Sequence, residues 1–301
     1  MKEKKLTNIT ESIKAKLTNY AKQTKRSVDA VYLQYCQERL LYRISQSKYK
    51  NNFILKGGLS LLALEANMAR PTKDIDFLVV STSNEFAEME NIFKEIIKIE
   101  FEDGITFEPD IKLEEIRKDA EYQGIRLKIL AKLDRSKSML TVDIGFGDKI
   151  LGKPEEIEFP VILKKDSEIP IIKTYPVESI IAEKFQAMVM LNYQNSRFKD
   201  FYDILFIAGK YNLQLERLYT AINKTFTYRE TPIEDKQIIF SDDFKNDLNM
   251  KSQWTGFLTV NNLKSFKDFS EVVSNIESFI NTACKPVEEK LTWKPSSWSW
   301  E

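Results

Sequence analysis

The stretch that most constrains this chain starts with an apolar triplet, Phe53-Ile54-Leu55, and continues through Lys56-Gly57-Gly58-Leu59-Ser60 into a short apolar helix pattern. A second apolar run then opens with Asp74-Ile75-Asp76. Glycine lets the backbone approach an anion where a Cβ would clash, and the start of the following helix offers N–H groups with no partner of their own. In a strand, alternate residues share a face, so Asp74 and Asp76 point one way and Ile75 and Phe77 the other. Two carboxylates beside a phosphate cradle are what Mg²⁺-dependent phosphoryl or nucleotidyl transfer requires. Either half alone is ambiguous, because a Gly-Gly pair also makes an ordinary strand-to-helix turn and paired aspartates are common at strand ends. Their order along the chain carries the specificity.

The residue types present narrow the chemistry further. The 301 residues include no histidine, which excludes Ser–His and Cys–His pairs, HExxH zinc sites and a histidine general base. Cys36 and Cys284 are too few for a disulfide framework and suit a reducing compartment. Lys+Arg and Asp+Glu both stand at 45, so no global positive field advertises nucleic acid, although a local patch would suffice. No apolar segment is long enough to span a bilayer, and Met1-Lys2-Glu3-Lys4-Lys5 lacks the apolar core of a secretion signal. The expectation is a soluble cytoplasmic protein with no membrane contact.

Periodicity divides the chain into an N-terminal helical segment (1–48), an α/β core (49–172) and a helical C-terminal domain (173–301). Helical spacing links Ile9, Ile13 and Leu17, and again Leu33, Cys36, Leu40 and Ile44 after a Ser27 N-cap. The core alternates strand and helix: a strand, the Gly-Gly turn, a helix, strand Ile75–Val80 and helix Asn84–Ile99. A hairpin follows, with Arg126–Leu133 and Met139–Phe146 flanking the polar turn Asp134–Ser138. Beyond Pro176 the predicted helices are Val177–Tyr193, Phe198–Ala208, Leu215–Thr225, Asp242–Met250 and Phe269–Cys284. The tail from Trp293 to Trp300 has no periodicity and reads as an irregular arm.

Three further groups are candidates. In the second hairpin strand Leu140, Val142, Ile144 and Phe146 share a face, leaving Asp143 on the other. It is either a third metal-binding carboxylate or an edge aspartate facing water. Ser60 could donate to a phosphate or cap its own helix. Lys184 lies on an apolar stripe with Ile180, Ile181 and Met188, so it either snorkels to water or reaches a triphosphate across the domain seam. Arg197 and Asp200, and Lys199 and Asp203, have the spacing of surface ion pairs. Phe198, Phe201 and Tyr202 beside them could stack a base.

These residues, in this order, resemble the AbiEii/AbiGii toxin family of nucleotidyltransferases. The matching stretches are Glu38–Ser45 running into Phe53–Gly58, then Arg70-Pro71-Thr72-Lys73-Asp74-Ile75-Asp76-Phe77 and Asp103-Gly104. They continue with Tyr122-Gln123-Gly124-Ile125-Arg126, Val142–Asp148, Tyr175–Glu178, Ala182-Glu183-Lys184 and Asn195–Asp203. The resemblance implies a polymerase-β-like nucleotidyltransferase fold, α/β (α+β) with a mixed sheet, N-terminal helices and a helical C-terminal half. It implies metal ligation by Asp74 and Asp76, nucleotide contact by Lys184, and an active-site acid in the arginine–aspartate motif, either Asp200 or Asp203. The family's usual Gly-Ser is Gly57-Gly58 here, which leaves any hydroxyl contact to Ser60. Members include the toxin halves of toxin–antitoxin pairs with roles in phage defence, and some modify tRNA ends.

The combined expectation is a Mg²⁺-dependent enzyme that moves NMP from an NTP to a hydroxyl acceptor, RNA or tRNA, and has a cognate antitoxin as a possible partner. Asp74, Asp76 and Asp143 would bind metal. Lys56, Gly57, Gly58, Ser60, Lys184 and Arg197 would bind the nucleotide, with Asp200 or Asp203 positioning Lys184 or the acceptor. Lys132, Arg135, Lys137 and Arg197 would receive RNA at the mouth of the site. A nucleotide-binding module without transfer, and a phosphotransferase, kinase or metal nuclease on the same scaffold, are the alternatives.

Overall fold

A computed structural model describes residues 2–64, 72–82, 84–117, 123–147, 153–263 and 267–301. Arg70, Pro71, Tyr122 and Asp148 of the stretches named above lie outside the described residues. The chain divides into two compact units, one formed by the described residues up to Gly147 with Pro154–Tyr175, the other by Lys153 and Pro176–Glu301. Among the described residues no helix is long and apolar enough to cross a membrane.

The first unit begins with α1 (Lys2–Thr24) and α2 (Val28–Gln46). Ser27 caps α2, its hydroxyl accepting from the Ala30 N–H at 3.2 Å. There follow β1 (Phe53–Lys56), α3 (Gly57–Leu64), β2 (Asp74–Val79), α4 (Phe86–Ile97), β3 (Ile105–Phe107) and β4 (Lys112–Arg117). The unit ends with β5 (Gln123–Leu133), β6 (Ser136–Phe146), β7 (Glu155–Glu158) and β8 (Ile171–Thr174). The strands form one mixed sheet in the order β3-β5-β6-β2-β1-β8-β7, with β4 also on β5. The β2–β6 and β1–β8 pairs are parallel and the rest antiparallel.

Register sorts the two faces of this sheet. Leu55, Phe77, Ile144 and Ile125 are neighbours across β1, β2, β6 and β5. They join the main core together with Ile13 and Leu17 of α1, Leu40 and Ile44 of α2, and Ile92, Phe93 and Ile96 of α4. The N-terminal helices therefore share a core with the sheet. The hairpin is tighter than its sequence suggests. Only Asp134 and Arg135 lie between β5 and β6, and Asp134 takes the positive φ of 56° that such two-residue turns demand.

The second unit contains α5 (Val177–Leu191), α6 (Phe198–Ala208), β9 (Leu213–Gln214), α7 (Leu215–Tyr228), α8 (Lys236–Ile239), α9 (Asp242–Asn246), α10 (Leu248–Val260) and α11 (Phe269–Ala283). Helix Asp242–Met250 of the sequence reading is in fact two, because Asp247 starts a new helix by accepting from the Met250 N–H at 2.8 Å. The tail is not an irregular arm. β10 (Thr292–Lys294) and β11 (Ser299–Trp300) form a hairpin that pairs with β9. Trp293 is buried there, its indole N–H donating to the Ala208 carbonyl at 2.6 Å.

One polar group in the first unit carries a pH signature. Glu38 is fully buried in α2 and accepts from the Ile162 N–H at 3.1 and 3.2 Å and from Gln34 at 3.0 Å. Burial pushes its carboxyl up from 4.5 to about 7, against the pull of those donors and of Arg39. Between those values the folded chain keeps a proton that the unfolded chain releases, so this residue makes stability fall as pH rises. Glu38→Gln should remove that dependence, which is roughly 1.4 kcal/mol per pH unit at its steepest. Urea unfolding of the first unit at about pH 5 and about pH 8 measures it: the variant gains on the wild type as pH rises.

Candidate active site

The sheet face opposite the main core carries a line of charge. Lys56 is the register partner of Asp76, Asp76 of Asp143, and Asp143 of Arg126. Cross-strand partners share a face at a strand spacing of about 4.8 Å, so the order is cation, anion, anion, cation. One step along, Asp74 is level with Thr141. Asp74 is exposed and Asp76 half-buried, while Ile75 and Phe77 between and after them are in the core. The expected same-face placement of the two aspartates is what the strand produces.

The Gly-Gly turn places backbone against this line. Gly57 has φ +64°, and a Cβ added to it would meet Asp76 Oδ2 at 2.0 Å. Only glycine fits both the left-handed backbone and the approach of the carboxylate. Ser60 is fully buried, and its hydroxyl donates to the Gly57 carbonyl at 2.8 Å. Of the two roles open to it, the observed one is to brace the turn, since the proton that would reach a phosphate is committed to the backbone. Lys56 holds its ammonium 4.8 Å from the centre of the Tyr175 ring.

Asp143 is where the site departs from expectation. Both of its oxygens are engaged by Arg126, Nε to Oδ1 and Nη2 to Oδ2, each at 2.7 Å. Among the described residues no group of three acidic or thiol side chains is placed to hold a metal ion. Asp143 thus stands beside the Asp74/Asp76 pair in a bidentate ion pair with Arg126. The pair by itself suits Mg²⁺, which is commonly held by one or two carboxylates plus phosphate oxygens and water. The absence of a Cβ at Gly57 is what lets the Asp76 carboxylate pack against the turn. Arg126, to which the sequence reading gave no role beyond its hairpin strand, is the residue that holds Asp143.

The hairpin turn lies farther off than its assignment to the mouth of the site requires. Lys137 and Asp143 are six positions apart on β6, about 20 Å at strand rise. Arg135 and Lys137 are exposed, while Lys132 is ion-paired to Glu108.

In the second unit Lys184 neither snorkels nor stands free. Its ammonium lies 2.8 Å from Asp200 Oδ1 and 2.7 Å from Asp203 Oδ2, both aspartates fully buried on one face of α6. Burial alone would push Lys184 down, but the two carboxylates hold it above its usual value. Burial likewise opposes charge on Asp200, and Lys184 and Arg197 outweigh it, keeping that carboxyl below its usual range. Arg197, 46% exposed, reaches Asp200 Oδ2 at 3.0 Å. The spacing alone describes a surface ion-pair lattice, whereas the structure makes Lys184, Asp200 and Asp203 a buried cluster in which both acids meet the ammonium. Phe198 and Phe201 are buried against Phe269, with ring centres at 5.7 and 5.3 Å, which leaves neither of them a face on which a base could stack.

The family model described as nucleotidyl transferase AbiEii toxin, type IV toxin–antitoxin system, matches residues 39–275. No curated protein matches the sequence. Two crystal structures from Helicobacter pylori match the chain. JHP933 has 17% identity and a TM-score of 0.47 over 85% of this chain and 91% of its own. A provisionally named nucleotidyltransferase has 17% identity and a TM-score of 0.46 over 85% and 94%.

Two substitutions test the geometry. Gly57→Ala should cost about 1–2 kcal/mol for the left-handed backbone and also displace the Asp76 carboxylate. Its unfolding midpoint should drop, and Mn²⁺ titration should show weaker binding than wild type. Lys184→Met should destabilise the second unit by about 3–5 kcal/mol, because it strands two buried carboxylates. Adding Asp200→Asn and Asp203→Asn should recover much of that loss in urea denaturation.

Proposed function

We propose, from the premise that the chain belongs to the family of AbiEii toxin nucleotidyl transferases, that it moves an NMP from an NTP to a hydroxyl of an RNA acceptor. The observation that carries this reading is the Asp74/Asp76 pair set against the Gly57 turn, where β1 passes into α3. Mg²⁺ on that pair would neutralise triphosphate charge as it develops during transfer. The rest is assigned to the chain's own groups. Backbone N–H groups at the start of α3 meet phosphate oxygens, and Lys56 adds positive charge at the end of the row. In the helical unit, Arg197 is the exposed cation of its cluster, while Lys184 is held by Asp200 and Asp203.

Such a site works by positioning and electrostatics, the mode that phosphoryl chemistry favours. A cognate antitoxin is the partner that the family's toxin–antitoxin setting supports. Among acceptors, tRNA is the one proposed from family resemblance. Because the hairpin turn is about 20 Å from Asp143 along the strand, only a long acceptor could touch both.

The test is incubation of purified protein with each labelled NTP, Mg²⁺ and total cellular RNA, with products read by mass. An added NMP is expected, and Asp76→Asn should lower its formation by roughly a hundredfold or more. Arg135→Glu with Lys137→Glu should weaken RNA labelling and leave NTP binding unchanged. An added phosphate, a cut strand, or nucleotide binding without any product would instead select phosphotransfer, nuclease action or a binding module.

A further inference from the structure

The Arg126–Asp143 ion pair is the part of the charged row that the transfer proposed above leaves without a role. Its geometry is lopsided. Asp143 is 10% exposed, whereas the Arg126 side chain is 36% exposed and reaches in from the solvent side. The guanidinium occupies both oxygens of a carboxylate whose parallel-strand neighbour is Asp76. Asp74 also contributes to the negative field on Arg126.

Two unpaired carboxylates one strand apart repel, and a cation must settle between or beside them. Arg126 does so here, and a divalent ion would do the same, so the two compete for Asp143. A polyphosphate offers a guanidinium the same planar, two-oxygen partner that a carboxylate does.

We propose that Arg126 is a gate on the third carboxylate: without nucleotide it withholds Asp143 from metal, and a bound triphosphate draws it away and frees Asp143 to complete the cation site. This rests on the assignment of Asp74 and Asp76 as the metal pair. The arginine is a positioning residue for Asp143 until nucleotide arrives and a phosphate ligand afterwards. Metal and triphosphate thereby become coupled ligands, each easing the binding of the other.

The experiment is Mn²⁺ titration of the full chain without nucleotide, followed by electron paramagnetic resonance. Arg126→Gln should bind Mn²⁺ about tenfold more tightly than wild type, within the usual range of coupling between sites. Asp143→Asn alone should match wild type, and the Arg126→Gln/Asp143→Asn double variant should lose the gain. Arg126→Lys keeps the charge without the fork and should fall between, which provides a second reading if the Gln variant folds poorly. Tripolyphosphate, the anionic probe, should bind Arg126→Gln about tenfold more weakly. Unchanged Mn²⁺ affinity in Arg126→Gln and Arg126→Lys, or a gain that survives in the double variant, overturns the gate. Asp76→Asn separates the two levels of the argument. Loss of Mn²⁺ binding in it upholds the aspartate pair whatever Arg126 does, and retention overturns the pair and the gate together.

Discussion

Four strands in fixed register put Lys56, Asp76, Asp143 and Arg126 in line on one face of a sheet. The line holds because the neighbouring row, Leu55, Phe77, Ile144 and Ile125, is buried on the other face. Slipping any pairing by one residue would exchange the two sets, moving aspartates into the core and aliphatic groups into water. Each buried aliphatic or aromatic side chain contributes about 1.5–3 kcal/mol, whereas an isolated buried carboxylate costs far more. The core therefore selects the register and the charges follow. Two like charges can be crowded together on β2 and β6 because hydrophobic burial, not their mutual repulsion, decides where those strands lie.

The charged row on the sheet and the Lys184 cluster stand at opposite limits. The row on the sheet has cations at its ends and partial access to water, so its partners can be exchanged at modest cost. The Lys184 cluster is sealed, with two fully buried acids meeting one ammonium. In such a setting the pair is weak evidence for net stability, but breaking it is costly, and the arrangement is stiff. A stiff cluster suits a fixed reference for the helices that carry it, and Arg197, which lies partly in water beside Asp200, is its adaptable member.

How much of this is legible in the sequence depends on the range of the interaction. Alternation alone is enough to separate Asp74 and Asp76 from Ile75 and Phe77, and Asp143 from Val142 and Ile144. The Ser27 cap and the α6 boundaries are equally local. The Arg126–Asp143 pair is not, because it depends on turn length. A turn spanning Asp134–Ser138 sets Leu133 opposite Met139 and would slide Arg126 to Phe146. With the observed two-residue turn, Leu133 faces Ser136 and Arg126 faces Asp143. The edge strand Glu155–Glu158 is short and nearly all acidic, a composition that discourages edge pairing between chains and hides the strand from a hydrophobicity pattern. The tryptophan tail escapes for another reason. Trp293 pairs with Leu213, a partner that no local window contains. Spacing likewise cannot tell a surface i,i+3 pair from the buried Asp200 and Asp203, which differ only in what packs over them.

Charge balance in the row bears on what the site can select. Lys and Arg equal Asp and Glu at 45 in the whole chain, and the four-residue row is itself balanced, so neither imposes a strong standing field on an approaching anion. On the gate proposed for Arg126, binding is driven by exchange of partners. A ligand that takes Arg126 from Asp143 has to offer two well-placed oxygens and bring counter-charge for the carboxylate it uncovers. A metal-bound triphosphate supplies both. A monophosphate supplies the oxygens without the cation, and a free divalent ion supplies the cation without the oxygens. An ion pair that must be broken to bind thus discriminates by penalising incomplete ligands, which is specificity built from the cost of the wrong partner.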